Sequence, residues 1–123
     1  MQNNPIYNNV VCDIYKFFKK KLYILKSMNI SKERIILDPG IGFAKTLDHN
    51  YNILKNLSIF LDLGHPLMIG ISRKSLIKSL TENDTLTPSV VLAVNAYNKG
   101  AKILRVHDVQ ETKEAINIFK RAN

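Results

Sequence analysis

Three short polar segments in this 123-residue chain hold the side chains best suited to chemistry. In Arg105-Val106-His107-Asp108 the residues alternate along an extended run, so Arg105 and His107 share one face. A guanidinium binds phosphate oxygens through two parallel hydrogen bonds, and an imidazole adds a hydrogen bond or a proton. Asp108 is read as a helix cap, because Asp108-Val109-Gln110-Glu111 has capping-box spacing with Asp in place of Ser or Thr. In Ser72-Arg73-Lys74-Ser75, two cations and two hydroxyls meet where a strand runs into a helix. A helix N-terminus attracts anions, so cations placed there oppose the dipole unless an anion binds between them. The plain alternative uses Ser72 as a cap and leaves Arg73 and Lys74 in solvent.

The third segment is Asp38-Pro39-Gly40-Ile41-Gly42-Phe43-Ala44-Lys45. Asp38 either caps the following turn or accepts two parallel N–H bonds from a planar ligand. The spaced glycines let backbone amides approach a ligand closely. Neither the full dinucleotide fingerprint nor the P-loop pattern is present. Phe43 is either core or the wall of an aromatic pocket. His49 and His65 have no comparable setting and are read as surface or loop residues.

These segments need elements to hold them. Val10, Val11, Ile14, Phe17, Phe18, Leu22 and Leu25 recur at helical spacing, which predicts a helix from about Tyr7 to Met28. Arg34–Asp38 reads as a buried parallel strand stopped by Pro39-Gly40. A second helix is expected over Asp48–Leu63, with Tyr51, Leu54, Leu57 and Leu61 on one side. Leu67–Ile71 reads as the next strand, followed by a short helix to about Leu80. Thr87-Pro88 signals a helix start, Gly100 its end, and Lys102–Val106 a third strand before the last helix. Alternating strands and helices imply right-handed crossovers and a parallel sheet, whose ligands gather at the carboxyl ends of the strands. Asp38, Ser72–Ser75, and Arg105 with His107 all fall at such ends. Three parallel strands bury poorly alone, and an eight-stranded α/β barrel needs ~250 residues.

Composition narrows the remaining classes. The chain is 46% hydrophobic and 23% charged, the balance of a globular domain. It has no apolar run of membrane-spanning length and no signal-peptide pattern, so the cytoplasm is the expected location. Cys12 is the single cysteine, which excludes an internal disulfide and a cysteine-based zinc site. It is expected to pack on an apolar helix face. The net charge of +8 raises nucleic-acid binding, but the lysines are spread out and no nucleic-acid motif accompanies them. The densest run, Lys19-Lys20-Lys21, reads as a solvated helix face.

Taken together, Asp38-Pro39-Gly40-Ile41-Gly42-Phe43, Ser72-Arg73-Lys74-Ser75 and Arg105-Val106-His107-Asp108-Val109 resemble, in that order, dihydropteroate synthase of folate biosynthesis. Asp-Pro-Gly is shared with other pterin-binding barrels; the other two motifs are more particular to the synthase. The resemblance covers nearly the whole chain and implies one domain over residues 1–123: the C-terminal half of a TIM (β/α)8 barrel, with about three parallel strands. The implied reaction is a pterinylmethyl transfer. It joins p-aminobenzoate to 6-hydroxymethyl-7,8-dihydropterin diphosphate, with Mg²⁺, giving 7,8-dihydropteroate and diphosphate. Asp38 would then hold the pterin, and Lys74 would contact the pterin and line the p-aminobenzoate pocket with Gly42, Phe43 and Arg73. Ser75 would hold the benzoate carboxylate, and Arg105 and His107 would bind the diphosphate. Lys74, Arg105 and His107 are the implied catalytic set, and the implied assembly is a homodimer through the late helices, with no nucleic-acid or membrane partner. Ala44 replaces a second loop glycine usual in the family. The family's early strands, which carry a metal-binding Asn and further pterin contacts, are absent. The rival expectation is a non-catalytic remnant that binds an anion or a partner without turnover.

Overall fold

The computed structural model describes residues 3–42, 46–71 and 85–123. Helix α1 spans Asn3–Ser27. Its buried Val11 and Phe18, with half-buried Ile14, Tyr15 and Leu22 between and beyond them, recur every three to four residues and form one stripe. Lys16, Lys19, Lys20 and Lys21 are exposed, as expected of a solvated face. Two expectations for this helix fail for the same angular reason. Cys12 is exposed, because it lies about 100° from Val11 in line with Lys16 and Lys19. Phe17 lies 100° from Phe18 and is also exposed, its ring covered by the Lys21 ammonium at 5.5 Å.

After a single 3₁₀ turn at Lys32–Arg34, the expected strand at residues 34–38 contracts to one parallel bridge, Leu37 to Leu67. The Leu37 N–H donates to the Pro66 carbonyl at 2.9 Å, and the Met68 N–H donates to the Leu37 carbonyl at 2.8 Å. On one side the 3₁₀ turn takes the Arg34 N–H, which bonds the Ser31 carbonyl. On the other side Pro39 has no N–H to offer, so the ladder is closed off at both ends.

The helix expected over residues 48–63 is two elements. Helix α2 is Leu47–Lys55, and a 3₁₀ helix runs over Leu57–Leu63. Asn56 breaks them apart. Its side-chain amide donates to the Asn52 carbonyl at 2.8 Å, and its own N–H turns to the Ile53 carbonyl at 3.1 Å. A short polar side chain thus takes the acceptor that an α-helix would have used. The narrower 3₁₀ turn buries Leu57 and Phe60 but leaves Leu61 exposed.

Strand β1, Met68–Gly70, pairs in parallel with β2, Ile103–Arg105. Among the described residues, two paired strands and one bridge stand at the three expected strand positions. Between them helix α3 covers Leu86–Asn98, one residue earlier than the Thr87-Pro88 signal implied, with Thr85 as N-cap. Pro88 therefore sits inside the first turn, where its missing N–H has no intrahelical partner to lose. Helix α4 spans Val109–Ala122, and Asp108 is its N-cap without the side-chain bond that capping-box spacing suggested. Helices α1 and α2 pack together, as do α3 and α4. No helix among the described residues is long and apolar enough to cross a membrane.

The core gathers Leu37, Leu67 and Ile69 from the sheet, Ile53, Leu54, Leu57 and Phe60 behind it, and Ala93 and Ala96 from α3. Phe18 meets Phe60 edge to face, with ring centroids 5.6 Å apart. We expect Phe60→Ala, which removes the largest fully buried side chain among the described residues, to cost about 3–5 kcal/mol in urea unfolding. A change under about 1 kcal/mol would show that this part of the core recloses around the void.

Candidate functional site

Two registers place the polar residues on a common scale. Leu37 lies level with Leu67, and Gly70 lies level with Arg105. Asp38, one residue past Leu37, therefore sits two residues deeper than Arg105, or about 7 Å along the strand direction. Side chains alternate across a strand, so Ile36, Asp38, Met68, Gly70, Ile103 and Arg105 share one face of the sheet. Leu37, Leu67, Ile69 and Leu104 point to the other face, toward the helices. On that face an apolar floor of Ile36, Met68 and Ile103 lies below or level with the Asp38 carboxylate, and Arg105 stands above it.

Arg105 leans sideways across that face. A Cβ built on Gly70 would meet the Arg105 Nη2 at 2.5 Å and its Cζ and Nε at 3.1 Å. Only a residue without a side chain lets the guanidinium lie over β1, on the way from β2 to the Asp38 segment. This glycine was not among the site residues expected from the sequence. Its signal was present, since a glycine inside a strand marks a close approach.

Asp38 behaves locally as a turn former: its Oδ1 accepts the Gly40 N–H at 2.9 Å. The side chain is exposed, and among the described residues no other group bonds its carboxylate. The turn therefore fixes one oxygen and leaves the carboxylate able to accept further N–H donors. Next comes Gly42, at φ 89°, whose N–H donates to the Asn50 Oδ1 at 2.9 Å. Asn50 is 1% exposed and belongs to α2, whose N-cap Thr46 accepts the His49 N–H at 3.1 Å. A buried amide on α2 thus anchors the glycine loop, a role that an isolated Asn in a polar stretch does not advertise in sequence.

Beyond β2, His107 is exposed, in a bend at the same end of the sheet as Arg105. Strand β2 stops at Arg105, so strand alternation does not extend to His107. Phe43, Arg73, Lys74 and Ser75 lie outside the described residues. Among the described residues no three His, Cys, Asp or Glu side chains converge as a metal cluster.

Comparisons with known proteins give the family. The pterin binding enzyme family matches residues 1–107. The chain belongs to that family. The dihydropteroate synthase of Haemophilus influenzae is 42% identical over 98% of this chain and 45% of its own length. A solved dihydropteroate synthase from Xanthomonas albilineans, in complex with 7,8-dihydropteroate, superposes with a TM-score of 0.89 at 32% identity. It covers 99% of this chain and 48% of the solved one. A second structure of the same enzyme, with 4-aminobenzoic acid, gives a TM-score of 0.88 at 32% identity over 93% of this chain and 43% of the solved one. The chain thus spans about half the length of the family members it matches, and its α/β layout corresponds to half of their barrel.

A methyl group at position 70 tests the lean of Arg105. Gly70→Ala should shift the Arg105 side-chain Nε–H resonance while the circular dichroism spectrum stays unchanged. An unmoved resonance would mean that the guanidinium does not lie over β1.

Proposed function

We propose that the chain supplies one half of a dihydropteroate synthase site, which joins p-aminobenzoate to 6-hydroxymethyl-7,8-dihydropterin diphosphate. The observation that carries this reading is the guanidinium of Arg105 lying over Gly70, on the same face as Asp38 and about two residues above it. A planar pterin whose N–H edge reaches down to Asp38 extends its methylene and diphosphate up toward Arg105 and His107.

The chemistry asks for that separation. The C–O bond to the diphosphate breaks and its electron pair leaves on the diphosphate oxygen. The amine nitrogen of p-aminobenzoate forms the new C–N bond and loses a proton. An aromatic amine is a weak nucleophile, so the departing charge needs stabilising, and Arg105 with His107 offers donors for it. Lys74, Arg73, Gly42 and Phe43 are assigned to the p-aminobenzoate pocket, and Ser75 to the benzoate carboxylate. Mg²⁺ belongs to the same proposal, screening charge on the diphosphate oxygens. The described residues offer it no ligand cluster, so every step assigned to this chain is one its own side chains perform.

Several broader expectations accompany the reading. The complete protein acts in the cytoplasm on small molecules. It pairs as a homodimer through its late helices, whose exposed Val91 and Ile118 suit that role. A second reading is favoured by the span of the chain, which is half that of its relatives: binding of the pterin or an anion without turnover.

Titration calorimetry of the purified chain with the pterin diphosphate, Mg²⁺ and p-aminobenzoate separates these readings. Saturable binding, weakened at least about tenfold by Asp38→Ala, is expected if the half-site is formed, since an acceptor facing a planar donor edge is worth roughly 1.5–3 kcal/mol. Arg105→Ala should weaken inorganic diphosphate by a similar factor and leave free pterin unaffected. Equal losses for both ligands would sink the division of labour between Asp38 and Arg105.

A further inference from the structure

Helix α2 turns three buried residues toward the core: Asn50, Ile53 and Leu54. Positions three and four apart share one helix face, so an apolar residue at 50 would complete that face. An amide stands there instead, 1% exposed, and a buried amide costs free energy unless it is hydrogen-bonded. Its Oδ1 accepts the Gly42 N–H at 2.9 Å, from eight residues earlier in the chain. The turn that carries Asn50 is itself fixed. The Asn50 N–H donates to the Thr46 carbonyl at 3.0 Å, and the Thr46 hydroxyl accepts the His49 N–H.

The bond acts on a stretch of chain with little stiffness of its own. Gly40 and Gly42 lie at φ 77° and 89°, a region that glycine enters and leaves freely. The peptide group joining Ile41 to Gly42 lies between them and can turn about its long axis. It is trans, so its N–H and its carbonyl point in opposite directions. With the N–H held by α2, the Ile41 carbonyl faces away from that helix, while the Ile41 side chain is buried in the core. One side-chain oxygen thus selects the orientation of a backbone group in the glycine loop. Asp38 is held by other means: the bridge at Leu37 and the Gly40 N–H.

We propose that Asn50 is a positioning residue for p-aminobenzoate. It acts through Gly42, setting the Ile41–Gly42 peptide group at the wall of the pocket that receives the aromatic amine. The proposal rests on the synthase reading, which assigns Gly42 to that pocket. Because Asp38 does not depend on Asn50, loss of the amide should weaken p-aminobenzoate and spare the pterin.

The experiment titrates the purified protein with the pterin diphosphate and then with p-aminobenzoate, and follows the Gly42 amide resonance. Asn50→Leu replaces the acceptor with an apolar group that suits the face shared with Ile53 and Leu54. It should move the Gly42 resonance and weaken p-aminobenzoate about tenfold, the scale of one hydrogen bond, with the pterin diphosphate within about twofold. Asn50→Asp keeps an oxygen in the same place, in a first helical turn that favours a carboxylate, and should restore both resonance and affinity. Asn50→Ser, whose hydroxyl is too short to reach the amide, should give the same result if the leucine variant does not fold. Equal losses for both ligands, no loss for p-aminobenzoate, an unmoved Gly42 resonance, or a loss that Asn50→Asp does not restore would each overturn the proposal. In those cases binding of both ligands by the wild type leaves the synthase reading standing. A wild type that takes up no p-aminobenzoate overturns that reading and the proposal with it.

Discussion

The parallel register running from Leu37 through Leu67 to β2 is the constraint on which the site depends. Two hydrogen bonds of 2.8–2.9 Å fix Leu37 against the Pro66–Met68 segment, and the pairing of β1 with β2 carries that level on to Arg105. A slip of one residue would turn Asp38 or Arg105 to the opposite face and bring Leu37 or Leu104 in its place. Burial of Leu37, Leu67 and Ile69 against the helices resists such a slip, so core packing and site geometry are enforced by the same contacts. The small Gly70 then decides where one guanidinium lies within that frame.

That frame has an energetic asymmetry. The helix-facing side of the sheet is covered, while the opposite side exposes Ile36 at 52% and Ile103 at 36%. Fully burying an isoleucine is worth about 1.5–3 kcal/mol, and these residues realise only part of it. Small α/β units with one open face have little stability in reserve. Helices α1, α2 and α3 bury Val11, Phe18, Ile53, Leu54, Ala93 and Ala96, and the 3₁₀ helix, the strand segments and the loops beside them supply the rest of the described core.

Much of this was legible in the sequence, for identifiable reasons. Apolar runs that end in charge marked the strand levels of Asp38 and Arg105, and the α1 stripe from Val11 to Leu22 follows the helical period that predicted it. The parts that were not legible depend on short-range competition that periodicity ignores. Asn56 diverts its side chain to the Asn52 carbonyl and splits a helix that the apolar spacing reads as continuous. Cys12 sits among apolar neighbours in sequence but off their stripe in space. At Arg34–Asp38 the strand propensity is real, yet the turn before it and Pro39 after it leave room for a single bridge. The motifs gave Gly42 and Asp38; the buried Asn50 beneath the loop and the bare Gly70 under Arg105 needed three dimensions.

The bond from Gly42 to Asn50 has a consequence for how the glycine loop can shift over evolution. Asn50 lies fully inside α2, so the loop's resting position is inherited from the packing of that helix. Substitutions around Ile53 and Leu54 that nudge α2 would carry the loop amide with them. The Gly42 amide is thus positioned from behind, through the packing of α2.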